Sequence, residues 1–170
     1  MTVIAYRDGI VCADSLISIG GVNVGEGRKI FKVEFENGEI IAAIAGDFDL
    51  ASKFIEWVHG LEDIFIETTL KSIPDKILNC ESLMEHQVDD QPFEAFIVVR
   101  HKAAADKILT YEKRGIAVEI KAHFYVIGCG RELALGALEL GATSEKAVEA
   151  AIKYNNYCGG HIQKLSFDEE

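Results

Sequence analysis

Short apolar runs broken by turn residues fill the first 45 positions, helical spacing follows, short runs return after residue 93, and the chain closes mainly on helical patterns. Val3–Arg7 and Ile10–Asp14 flank Asp8-Gly9, a dipeptide suited to a type I′ turn, and predict a β-hairpin. Glycines at 20, 21, 25 and 27 mark a loop. Lys29–Glu36 and Glu39–Ala45 then flank Asn37-Gly38, the strongest short-range signal for a second hairpin. Asp47 is placed to cap a helix carrying Leu50, Phe54, Trp57 and Val58 on one stripe, and a second helical stretch is expected over 69–87. Four strands follow, Phe93–Arg100, Lys107–Glu112, Gly115–Ile120 and His123–Ile127. Helices are expected over Arg131–Leu140 and Ser144–Tyr154, the second opened by Thr143 or Ser144, before a closing strand over Ile162–Phe167.

Strands, helices, strands, helices is not the alternation of a parallel sheet. It predicts an α+β fold, a four-layer αββα sandwich of two antiparallel sheets covered by helices on both sides. A length of 170 residues with 49% apolar content fits one domain over 1–170. The net charge of −11 opposes a nucleic-acid backbone or an anionic membrane as partner. Cys12, Cys80, Cys129 and Cys158 are widely spaced, which reads as reduced thiols and a cytoplasmic setting. No leader pattern opens the chain and no apolar run has the length of a membrane span, so neither secretion nor anchoring is expected.

The candidate chemistry starts at Thr2. Removal of Met1 would leave a threonine with a hydroxyl and a free α-amine, a nucleophile and a base on one residue. In a simple hairpin, paired positions sum to a constant. The first hairpin therefore sets Asp14 opposite Val3 and Ser15 opposite Thr2, with the Asp14 side chain directed away from that of Thr2 unless the strand bends. A turn at Asn37-Gly38 would pair Lys29 with Gly46 and put Lys29 at the head of an apolar face, where it is either functional or snorkels at the strand end.

Thr2, Cys12-Ala-Asp14, Arg28-Lys29-Ile30, Ala45-Gly46-Asp47 and Ile127-Gly-Cys-Gly130 before an alanine-rich helix occur in an order and spacing that resembles the N-terminal-nucleophile hydrolases of the proteasome β-subunit class, in the HslV-like branch. The resemblance implies a threonine peptidase. Thr2 would be the nucleophile, its amine the base, Lys29 the cation favouring proton loss, Asp14 the partner of Lys29, and the N–H of Ala43 an oxyanion donor. It also implies a homo-oligomer of six or seven subunits per ring, possibly stacked, fed with polypeptide by an ATP-dependent unfoldase. No cofactor is required, though a monovalent or divalent cation could bind backbone carbonyls around 155–160.

Three positions depart from the family pattern. Cys129 stands where the family has a serine near the amine, and Asn155 and Cys158 stand at an aspartate and a serine. None of them replaces a hydroxyl or a carboxylate charge in ordering an amine, and both cysteines also read as small core residues. A catalytically weak or inactive scaffold and an amidase on small amides are therefore the alternatives. Gly128-Cys-Gly-Arg131 lacks the rest of a dinucleotide loop, and Cys158-Gly-Gly-His161 has no second pair at zinc spacing.

Overall fold

The computed structural model of the chain describes residues 2–46, 48–61, 70–74, 93–102, 104–111 and 115–168. Along the sequence run β1 Val3–Arg7, β2 Ile10–Asp14, β3 Leu16–Ile19, β4 Val22–Glu26, β5 Ile30–Phe35 and β6 Gly38–Ala45. Then come α1 Phe48–His59, β7 Glu94–His101, β8 Lys107–Tyr111, β9 Ala117–Ile120, β10 Phe124–Gly128, α2 Arg131–Glu139, α3 Ser144–Tyr154 and β11 Ile162–Ser166. They divide into two compact units, Met1–Phe31 with Ala122–Glu170, and Lys32–Lys121.

The first unit holds a four-stranded sheet in the order β10-β1-β2-β11 and a separate two-stranded sheet β3-β4. Each neighbouring pair in these sheets is antiparallel. The first hairpin turns at Asp8-Gly9, with Asp8 at φ 50°, and keeps the predicted register from Arg7↔Ile10 to Ile4↔Ala13. Val3, Ala5, Cys12 and Val126 on one sheet face pack with Ala134 and Leu138 of α2 and Ala147, Val148 and Ala151 of α3. Thr143 caps α3 by accepting from the Lys146 amide at 3.2 Å, and Ser144 Oγ donates to the Ile10 carbonyl at 2.9 Å. Arg7 donates to the carbonyls of Leu138 and Ala142 at 2.6 and 3.2 Å, placing a cation at the C-terminal end of α2.

The second unit is built on a five-stranded sheet ordered β5-β6-β7-β8-β9, with β5 entering it from the first. Leu50, Phe54 and Val58 of α1 are fully buried and join Ile40, Ala42, Ile44, Phe93, Ile97 and Tyr111. Phe54 lies edge-on to Phe93 and Tyr111, with centroids 5.9 and 6.3 Å apart. The buried Tyr111 hydroxyl donates to the Leu70 carbonyl at 2.6 Å, and burial pushes its pKa up.

Several expectations change. There are three sheets, not two, and the described residues form a mixed antiparallel α and β structure with three helices rather than a clear four-layer sandwich. The glycine-marked loop is the β3–β4 hairpin. Every residue of β4 is exposed, so no buried face imprints an alternation on the sequence. The second hairpin turns at Glu36-Asn37, one residue early, and Lys29 precedes β5 instead of heading it. Gly38 answers to packing, because a Cβ there would come within 2.3 Å of the Arg100 carbonyl oxygen on β7. Asp47 and most of the 69–87 helix lie outside the described residues, while 70–74 form a turn and a bridge from Ser72 to Ile116. Among the described residues no helix is long and apolar enough to cross a membrane.

Candidate active site

The main-chain pairing of β1 with β2 ends at Ile4↔Ala13. One step beyond, the Val3 amide turns to the Asp14 side chain and donates to Oδ1 at 3.0 Å. Here the strand departs from strict register, and the Thr2 hydroxyl donates to the same oxygen at 2.5 Å. The Asp14 carboxylate therefore does not point away from Thr2, contrary to the hairpin arithmetic. Lys29 Nζ reaches Oδ1 at 2.7 Å, and the Gly159 amide donates to Oδ2 at 3.0 Å.

Asp14 is fully buried, Thr2 is 4% exposed and Lys29 9%. Burying a carboxyl group without partners is costly, and here four donors meet its two oxygens. Burial pulls the Lys29 ammonium below its ordinary range, and the charge and hydrogen bond of Asp14 oppose that fall. Gln163 fixes the lysine's backbone. Its Oε1 accepts from the Lys29 amide at 3.0 Å while its Nε2 donates to the Gly27 carbonyl at 2.5 Å.

The carbonyl side of Thr2 meets the loop between β10 and α2. Gly130 N–H and Cys129 Sγ both donate to the Thr2 carbonyl, each at 3.3 Å. Gly128 has φ 96°, and a Cβ there would lie 2.2 Å from that same oxygen, so only glycine fits. Cys129 and Cys158 bring their sulfurs to 3.9 Å. The neighbouring Cys158 thiol holds Cys129 down at about 6, against partial burial, and the same contact raises Cys158. Asn155 does not meet Thr2 in any contact described. Its Nδ2 donates to the Cys129 carbonyl at 3.0 Å and its Oδ1 accepts from the Tyr157 amide at 2.9 Å, so it ties the end of α3 to the Cys129 loop.

Thr2, Asp14 and Lys29 are thus brought together, with Cys129 and Cys158 on the carbonyl side and Asn155 behind them. Ala43 is buried on β6 of the second unit, paired with Phe96. Sequence reasoning missed the Gly159 amide, Gln163 and Ser15. The Ser15 hydroxyl accepts from the His161 amide at 2.8 Å, and Ser15 N–H donates to the Gly159 carbonyl at 3.2 Å, which holds residues 159–161 against the end of β2. The His161 ring also pairs with Glu26 and, with Ser15, lowers the pKa of that exposed carboxylate. Ser15, directly after a candidate acid, was the signal within reach; a backbone amide carries none. Among the described residues no group of three or more His, Cys, Asp or Glu could hold a metal ion.

No family model and no curated protein matches the chain. Solved structures do. Anbu (ancestral beta-subunit) from Yersinia bercovieri superposes with a TM-score of 0.73 at 9% identity, covering 97% of this chain and 80% of that one. A helical assembly of the Anbu complex from Pseudomonas aeruginosa gives 0.71 at 12% identity, covering 98% and 80%. Anbu from Hyphomicrobium sp. strain MC1 gives 0.72 at 12%, covering 98% and 82%. These matches correct the resemblance to the HslV-like branch, since the solved structures named above are of Anbu, and at such identities the likeness establishes the fold alone.

Proposed function

We propose that this chain is an N-terminal threonine hydrolase that cleaves peptide bonds, with Thr2 as nucleophile once Met1 has been removed. The observation that carries this reading is the meeting of the Thr2 hydroxyl and Lys29 Nζ on one oxygen of a fully buried carboxylate, at 2.5 and 2.7 Å. Thr2 Oγ adds to the substrate carbonyl carbon while the freed α-amine takes the hydroxyl proton. The C–N bond then breaks and the amine product leaves with that proton. Water attacks the resulting ester, and the Thr2 oxygen departs with a proton from the water. Asp14 orients the hydroxyl, and the Lys29 charge favours the alkoxide that develops on it. No cofactor takes part in these steps.

The reading includes a homo-oligomer acting on polypeptide in a reducing compartment, supplied by an ATP-dependent unfoldase. Likeness in fold to a protein solved as a helical assembly supports self-association, as do the exposed apolar residues Ile19, Val22 and Val24 on the β3–β4 hairpin. Light scattering should give at least six subunits, and a stable monomer at micromolar concentration would remove the assembly from the proposal.

One observation favours a second reading, an inactive scaffold of the same fold. Both polar ends of Asn155 are spent on backbone partners, so it brings no charge to order a terminal amine. Intact mass and electrophile labelling separate the two. Protein lacking Met1 should gain one adduct per subunit on the first peptide, and Thr2→Ala should fold without gaining it. Processed protein with a free Thr2 that yields neither adduct nor cleavage sinks the hydrolase reading.

A further inference from the structure

Cys129 and Cys158 lie 29 positions apart in sequence, yet their sulfurs stand 3.9 Å apart. Cys129 is exposed and Cys158 is 5% exposed, so one thiol meets solvent and the other waits behind it. Cys129 precedes Gly130, the N-cap of α2, where no side chain caps the helix, and the positive end of the helix favours a thiolate there. The neighbouring Cys158 thiol, a hydrogen-bond donor to that thiolate, acts in the same direction. The third described thiol contrasts with this pair. Cys12 is fully buried and pushed up to about 12, which leaves it protonated and inert.

We propose that Cys129 and Cys158 form a peroxide-sensing dithiol, with Cys129 the attacking sulfur and Cys158 the resolving one. The Cys129 thiolate attacks one oxygen of hydrogen peroxide, the O–O bond breaks, and Cys129 becomes a sulfenic acid as hydroxide leaves. Cys158 then attacks the Cys129 sulfur, an S–S bond forms, and the sulfenic oxygen departs as water with the Cys158 proton. Two thiols are oxidised and one peroxide is reduced to two waters. The sulfurs must close from 3.9 Å to a bonded length of about 2.05 Å. The proposal has both side chains turn about their Cα–Cβ bonds to make that approach.

The bond would act where the chain begins. Cys129 Sγ lies 3.3 Å from the Thr2 carbonyl and donates to it in the thiol form, a contact that is lost in the disulfide. Cys158 directly precedes Gly159, whose amide holds Asp14 Oδ2, so closure of the disulfide draws on the carboxylate's outer oxygen as well. Any effect on Thr2 chemistry rests on the proposed function; formation of the bond does not.

The full-length protein is treated with one equivalent of hydrogen peroxide, remaining thiols are alkylated under denaturing conditions, and peptides are mapped. We expect one intramolecular Cys129–Cys158 cross-link, lighter by two hydrogens, reversed by dithiothreitol, and formed equally in Thr2→Ala. Cys158→Ser should instead leave a sulfenic acid on Cys129 that a dimedone probe traps, and Cys129→Ser should leave Cys158 reduced. If Cys158→Ser does not fold, Cys158→Ala replaces it. Over-oxidation of Cys129 without a cross-link, prior oxidation of Cys12 or Cys80, or a bond between separate chains would each overturn the proposal. A cross-link in Thr2→Ala beside inert Thr2 in processed wild type would keep the dithiol and reject only the hydrolase.

Discussion

The two units are packed from different materials. In the second, Phe54, Trp57, Phe93 and Tyr111 interlock around α1, and the buried hydroxyls of Tyr111 and Thr110 donate to the carbonyls of Leu70 and Ala95. In the first, Ala5, Ala134, Ala147 and Ala151 separate helix from sheet, and Thr2, Asp14, Ser15, Lys29 and Ser144 are buried beside them. Large side chains fill the first kind of core with dispersion and buried apolar area. Small ones let backbones approach closely enough for amides and carbonyls to serve buried polar groups, as the Gly159 amide serves Asp14. Chemistry has collected where the packing is finest-grained.

The largest break in that contrast is Phe54→Ala, which should cost about 3–5 kcal/mol in urea unfolding while leaving Cys129 alkylation unchanged. Asp14→Ala should cost a comparable amount, about 3–5 kcal/mol, because it strands the buried Lys29 charge, and it should also abolish acylation of Thr2. Fluorescence-monitored unfolding and adduct mapping check the two halves. Ala151→Leu tests the small-residue packing directly. A Cβ at Gly130 would already stand 3.1 Å from Ala151 Cβ, so the larger side chain should cost about 1–3 kcal/mol and disturb the Cys129 loop. Cys158→Ala removes the neighbour that lowers Cys129. Alkylation of Cys129 should be half-maximal near pH 6 in the wild type and shift upward in the variant, slowing by about tenfold at pH 7. A lowered thiol pKa favours folding above the unfolded value of 9.0, and that contribution fades as pH falls through about 6, so the shift should also appear as a gain in stability with rising pH. The smallest effect is at the α3 cap, where Thr143→Ala should cost about 1 kcal/mol by thermal unfolding.

What could be read from the sequence was local. β1, β2 and the register between them follow from Asp8-Gly9, and α3 begins and ends at Ser144 and Tyr154 because Thr143 caps a clear periodic stripe. Thr2, Asp14 and Lys29 were singled out as candidates, but the bond between Thr2 and Asp14 was not expected, because parity assumes that the ladder continues to the end of the strand. Gly38 was misread as a turn residue, since a glycine admitting a neighbouring backbone looks the same as one making a turn. The Cys129–Cys158 approach depends on folding across 29 positions, and Gln163 reaches Gly27 and Lys29 from 134 or more away; no spacing rule encodes either. The exposed β4 left no periodicity at all.

Gly128 carries a consequence in handedness. An L-residue there meets two obstacles, a backbone at φ 96° and a Cβ 2.2 Å from the Thr2 carbonyl oxygen. A D-residue favours positive φ, and it places its methyl at glycine's other hydrogen rather than at the position that meets this oxygen. Chemical ligation could install D-alanine at this one position, and comparison with L-alanine would measure the joint cost of backbone strain and crowding at identical composition. At Gly128, as at Asp8-Gly9 and other turns, the chain's usual handedness is locally reversed, here beside its candidate nucleophile.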